Sequence, residues 1–247
     1  MIRTYLINRS ELENINYSDS ILSPGRISKI EKLKRDEDKQ LSACAELLLI
    51  YALKQQIEDL SLPLDIEADE RGKLRLTNIP LYFNYSHAKE YAACSVSDEP
   101  IGVDIEYFRV NELMSPDRIL YPDEYNLLSF ISNPNEKKKF FYECWVAKES
   151  YLKNLGIGLI VRPRDFSVNE GELKIHKPDP QQLKDDHSLE DNLSYLKQRY
   201  VHVLEPGEVR GTDWKFDAGY RVAVCSMKKD TDSIARLVKA ADINKYI

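Results

Sequence analysis

Apolar positions follow different spacings along this chain, and each spacing predicts a different element. From Leu41 to Leu53 the run is almost continuously apolar, broken only by Ser42 and Glu46, which predicts a buried helix. Between Asn135 and Leu155 the residues Phe141, Cys144, Trp145, Lys148, Tyr151 and Leu155 recur at helical spacing, and Gly156 supplies a stop. A shorter basic helix is expected over 26–35 (RISKIEKLKR). Residues 81–86, 91–96 and 101–106 read as strands. Ser97-Asp98-Glu99-Pro100 joins the last two as the loop of an antiparallel hairpin. Further strand-like pieces lie at 1–7, 164–169, 200–204 and 220–226. The polar stretch 178–199 predicts a surface loop.

The order of elements hints at duplication. IEADERGKLRLTNIP (66–80) is similar to FSVNEGELKIHKPDP (166–180), each a strand, a turn at Gly72 or Gly171, and a second strand. YAACSV (91–96) is echoed by YRVAVCS (220–226), and a long helix precedes the module each time. The expected fold is α+β: two similar halves, 1–100 and 101–247, packed as an intramolecular pseudo-dimer with a ligand cleft between them.

Composition narrows the function. Hydrophobic residues make up 43 % and charged residues 31 %, as in ordinary globular proteins. A net charge of −6 argues against a general nucleic-acid binder, so any anion site must be a local basic cluster. The four cysteines lack metal-ligand spacing. Cys44, Cys94 and Cys225 sit in apolar runs, which predicts buried free thiols. No run of 18 apolar residues occurs, and the polar start MIRTYLINRSELEN is no signal peptide. The expectation is a cytoplasmic protein that does not span a membrane.

Two segments carry the candidate chemistry. In IGVDIE (101–106), strand alternation puts Asp104 and Glu106 on one face, about 7 Å apart. Like charges that close repel unless solvated or bridged by a cation. Forty residues later WVAKESYLK (145–153) stacks Trp145, Glu149 and Lys153 at i, i+4, i+8, with Lys148 about 100° round from Glu149. Taken singly, the first is a half-exposed strand and the second an amphipathic helix. Taken together, three carboxylates and two lysines can converge, which suits a hard divalent cation and a pyrophosphate.

IGVD, forty residues, then W-x-x-K-E-S-x-x-K resembles the signature of the 4′-phosphopantetheinyl transferases, best the two-halved, surfactin-synthetase-type branch. The resemblance covers roughly residues 20 to 165 and 216 to 226. It implies magnesium held by Asp104, Glu106 and Glu149, with Lys148 and Lys153 neutralising coenzyme A phosphates. It also implies coenzyme A contacts from Ser86, His87 and the Gly72-Lys73 turn. Arg26 and Lys29 fall on the positions that read the 3′-phosphate, supplemented by Lys32 and Arg35. Two departures stand out: Val146 replaces a small polar or thiol residue, and Leu41 replaces an arginine, leaving Lys39 the nearest cation. The implied reaction moves phosphopantetheine to a serine of an acyl or peptidyl carrier protein, and the branch acts as a monomer. A serine hydroxyl needs a base, for which Glu149 is the first candidate and Glu124 the second. Residues 112–131, with Leu113, Met114, Tyr121, Leu127 and Leu128, are a candidate docking surface. The rival functions are a non-catalytic coenzyme A or carrier-binding protein and a metal-dependent phosphohydrolase.

Overall fold

A computed structural model of the chain describes residues 2–108, 115–169, 172–174, 194–204, 209–210, 219–228 and 235–247. Gly171, Leu113, Met114 and most of the polar stretch, 178–193, lie outside the described residues.

The first half runs β1 (Arg3–Asn8), α1 (Pro24–Lys32), α2 (Asp36–Lys54), β2 (Ile66–Ala68), β3 (Leu74–Leu76), β4 (Tyr82–Ala88) and β5 (Tyr91–Ser97). Helix α1 starts earlier than the basic run suggested, because Ser23 caps it and Pro24 opens its first turn. It also ends earlier, since Arg35 is extended ahead of α2, whose first turn carries Asp36, Glu37 and Asp38 against the helix dipole. Every residue from Leu41 to Leu53 is buried, as the apolar run predicts.

The second half runs β6 (Gly102–Tyr107), α3 (Pro116–Ile119), α4 (Pro122–Phe130), α5 (Pro134–Leu155), β7 (Ser167–Asn169), β8 (Glu172–Lys174), β9 (Tyr200–Val203), β10 (Val209–Arg210), β11 (Tyr220–Ser226), β12 (Ala235–Leu237) and α6 (Ala240–Ile243). Two five-stranded sheets form, ordered β10-β12-β1-β5-β4 and β6-β11-β9-β8-β7, while β2 and β3 pair as a separate hairpin. The duplication is visible in the connectivity. Strand, helix, hairpin and two further strands appear as β1, α2, β2–β3, β4, β5 and again as β6, α5, β7–β8, β9, β11. Each time the last strand lies antiparallel between the other two.

Two expectations are corrected. Strands β5 and β6 do not form a hairpin: β5 pairs with β1 and β4, whereas β6 pairs with β11 in the other sheet. The true hairpin is β4–β5, turned at Lys89 with φ of 50°, so the 98–101 loop is the crossover between sheets. The second half also does not keep its own C-terminus. Strand β12 lies parallel on β1, and Val238, Ala240 and Ile243 enter the first half's core, covering an edge that would otherwise be open.

The halves meet along two lines. Leu6 and Ala93 of the first sheet pack against Ile101, Val103, Ile105, Val222 and Val224 of the second. At the edges, β4 lies beside β6: Asn84 Oδ1 accepts from the Val103 amide at 2.9 Å. Cys44, Cys94 and Cys225 are free and buried, and burial pushes the Cys44 thiol up to about 12. Among the described residues no helix is long and apolar enough to cross a membrane.

Candidate active site

The site begins with a glycine. A Cβ on Gly102 would collide with the Ser150 carbonyl oxygen and the Asn154 amide of α5. Its absence lets β6 and α5 touch backbone to backbone, so residues on the facing sides of strand and helix come within hydrogen-bond reach. Asp104, two positions along and 3 % exposed, lies there. Its Oδ1 accepts from Ser86 Oγ at 2.7 Å and from Lys153 Nζ at 2.6 Å, and Lys153 also donates to Ser86 Oγ at 2.9 Å. The other oxygen, Asp104 Oδ2, is buried with no partner.

Glu106 and Glu149 complete the acidic cluster. Glu106 Oε1 accepts from Trp145 Nε1 at 3.0 Å. Burial, then the Asp104 charge, push the Glu149 carboxyl up to about 7, against the opposing pull of Lys153. Desolvation outweighs the pull of a single ammonium that is already bonded to Asp104. The donor set is all oxygen, one buried oxygen is orphaned, and like charges crowd together, which fits a hard dication. Among the described residues no three metal-ligating side chains are already gathered close enough to hold an ion, so the three carboxylates are neighbours without being a preformed cage.

A basic wall faces this cluster. Burial, then Lys29 and Lys153, hold the His87 imidazole below its ordinary value. Burial and Arg26 do the same to Lys29. Positive groups gathered around His87 and Lys29 mark a place where an anion would be welcome. The cavity between the halves, about 280 Å³, is lined by Arg71, Gly72, Lys73, Tyr85, Glu149 and Lys153 among others. Gly72 holds φ of 83° in the β2–β3 turn, a conformation that favours glycine. The Lys73 ammonium points inward, donating to Asn154 O at 2.6 Å and Ile101 O at 3.4 Å, and burial brings it down to about 8.

Other expected site residues are engaged elsewhere. Lys148 is fully buried and uses all three ammonium donors, on Ile119 O at 2.9 Å, Pro163 O at 2.8 Å and Glu124 Oε2 at 2.5 Å. It has no N–H left for a phosphate, because it faces the interior some 100° round the helix from Glu149. Glu124, the second candidate base, is buried in the first turn of α4 and also accepts from the Tyr121 amide at 2.8 Å. Without an open face it has no route to a substrate proton. Arg26 is buried too, bonding Glu46 Oε2 and Ser42 Oγ, each at 3.0 Å, with its guanidinium over the Tyr85 ring. Glu46, wholly buried on α2, demands that counter-charge. Lys32 and Arg35 are exposed, Lys39 pairs with Asp36, and Leu41 is core. Val146 is core as well.

The model of the 4′-phosphopantetheinyl transferase superfamily matches residues 100–225, just over half of the chain, a span that includes the acidic strand and the whole of α5. The chain belongs to the 4′-phosphopantetheinyl transferase superfamily. Among its relatives, the 4′-phosphopantetheinyl transferase Sfp of Bacillus subtilis (strain 168) is 27 % identical over 225 residues, covering 90 % of this chain and 88 % of Sfp. The 4′-phosphopantetheinyl transferase gsp of Aneurinibacillus migulanus is 26 % identical over 168 residues, 67 % of this chain and 69 % of gsp. The 4′-phosphopantetheinyl transferase HetI of Nostoc is 34 % identical over 123 residues, 47 % of this chain and 49 % of HetI. Two amides of this phosphopantetheinyl transferase escaped sequence reasoning: Asn84, which joins the halves, and Asn154, at the end of α5. Each is a short polar side chain inside an apolar segment, a signal that was there to be weighed.

Proposed function

We infer that this chain transfers the 4′-phosphopantetheine arm of coenzyme A to a serine of an apo acyl or peptidyl carrier protein, releasing 3′,5′-ADP. The observation that carries this is the juxtaposition of Asp104, Glu149, Lys153 and Ser86 beside the Lys29–His87 basic wall, in a chain of this superfamily.

The serine oxygen bonds to the β-phosphorus as the bond from that phosphorus to the 3′,5′-ADP oxygen breaks. Lys153, free to turn from Asp104 toward the diphosphate, stabilises the charge that builds on the phosphoryl oxygens. Lys29 and His87 receive the 3′-phosphate end, and the Gly72-Lys73 turn lies against the nucleotide. Lys148 and Arg26 support the site from behind. Magnesium, when bound by Asp104, Glu106 and Glu149, supplies Lewis-acid withdrawal of charge from the diphosphate. Glu149, facing the cleft beside Lys153, takes the serine proton. On the carrier side, α4 offers Tyr125, Leu127 and Phe130 to solvent at 46, 55 and 82 % exposure, whereas Leu128 is buried core. One chain supplies both walls of the cleft, which supports a monomer, and the substrates support a cytoplasmic location.

The test is to incubate the chain with magnesium, coenzyme A and an apo-carrier, then weigh the carrier and assay the nucleotide. Transfer adds the phosphopantetheine mass to the carrier in step with 3′,5′-ADP release. Release without gain in mass would mean hydrolysis, and neither would mean binding alone; both contradict transfer.

A further inference from the structure

The last turn of α5 is held by a clamp that the chemistry above does not use. Asn154 is 3 % exposed, directly after Lys153. Its Nδ2 donates to Pro100 O at 2.8 Å and to Cys225 O at 3.0 Å, and its Oδ1 accepts from Arg199 Nε at 2.8 Å. Its own carbonyl accepts from Lys73 Nζ at 2.6 Å. The side-chain amide is thus satisfied at both hydrogens and at its oxygen, by three segments distant in sequence.

Those segments are the ones whose relative placement the site needs. Pro100 leads into β6, which carries Asp104 and Glu106. Cys225 lies on β11, which pairs with β6 through Cys225 and Gly102. Lys73 comes from the hairpin of the other half. Gly102 lets helix and strand approach but specifies neither the rotation of the helix nor its shift along the strand. Two directional bonds from one planar amide specify both.

We propose that Asn154 is a positioning residue that sets Lys153 and Glu149 against Asp104 by bonding the end of α5 to Pro100 and Cys225. The inference rests on the transfer reading above. It predicts which change matters. Asn154→Ala removes all three bonds. Asn154→Asp keeps an acceptor for Arg199 but turns the donor toward Pro100 and Cys225 into an oxygen facing two carbonyls. Both variants should therefore be impaired alike, whereas Arg199→Ala should be mild.

Three kinetic readouts decide it, measured on the full chain with magnesium, coenzyme A and an apo-carrier. In Asn154→Ala and Asn154→Asp, kcat should fall about 10²-fold, as for a misplacement near 1 Å, while KM for the carrier stays within about threefold. The half-saturating magnesium concentration should rise several-fold. Ile243→Ala, a cavity in the first core far from α5, serves as the stability control: at equal loss of Tm it should keep wild-type kcat. If Asn154→Ala retains wild-type kcat and magnesium requirement, or if Ile243→Ala loses kcat as steeply, the positioning role is overturned while transfer stands. If the wild-type chain transfers nothing, the transfer reading falls and this inference with it.

Discussion

Two lysines five residues apart on α5 meet opposite fates. Lys153 projects into the cleft and bonds Asp104 and Ser86, whereas Lys148 turns inward to Glu124. A five-residue step rotates the helix by about 140°, so the two cannot share a face. Lys148→Met should strand the Glu124 carboxylate and cost about 3–5 kcal/mol in urea denaturation, with a good part recovered by adding Glu124→Gln. A Lys148→Met protein of normal stability that binds coenzyme A poorly would instead put this ammonium on the phosphates. Glu149 gives a pH prediction. Its folded-state value is raised, so its contribution to stability is present below the ordinary carboxylate range and lost as pH rises through about 7. Without metal, Glu149→Gln should melt higher than wild type at pH 8 and match it near pH 4. A gap that is the same at both pH values would remove the crowding of carboxylates. Asp104, Glu149 and Lys153 were legible in IGVD and W-x-x-K-E-S-x-x-K; the inward turn of Lys148 was not, because helical phase separates faces without saying which one is core.

Helix α5 and strand β6 work as a unit whose gap is set by Gly102. Gly102→Ala puts a methyl into the α5 backbone, so helix and strand must separate. The expected cost is about 1–3 kcal/mol by thermal melting, with a fall in kcat larger than any change in KM for coenzyme A. Full activity and stability would mean the contact is slack. Helix α5 was readable from its periodicity, α2 from its unbroken apolar run, and the paired hairpins from the faint repeat of 66–80 in 166–180. Helix α4 was missed, although Tyr121-Pro122-Asp123-Glu124 has proline in the first turn followed by acids, a start signal in plain view. The β5–β6 hairpin was misread because a tight polar loop joins adjacent strands and crossing strands equally well. What separates the cases is partner choice, and β6 finds β11 more than a hundred residues away.

Among the described residues, two similar arrangements of strand, helix and hairpin share one chain end. Residues 235–247 return to the first sheet, where β12 covers the edge of β1 and Ile243 is fully buried. Ending the chain after 234 should expose that edge and yield aggregated protein, seen as early elution of high-mass material in size exclusion; a monomeric, cooperatively melting product would show the return to be dispensable. Nothing local in the sequence announces this pairing, since it depends on which edge stays open once the halves have packed. The cleft between the halves joins a wall of carboxylates to a wall of cations. The most direct test is the intact mass of an apo-carrier incubated with coenzyme A, saturating magnesium and either the wild-type chain or Asp104→Ala, with the fold of the variant checked by melting. Wild type should convert the carrier to its phosphopantetheinyl form and the folded variant should leave it apo; conversion at equal rates by both would contradict the assignment of transfer to this site.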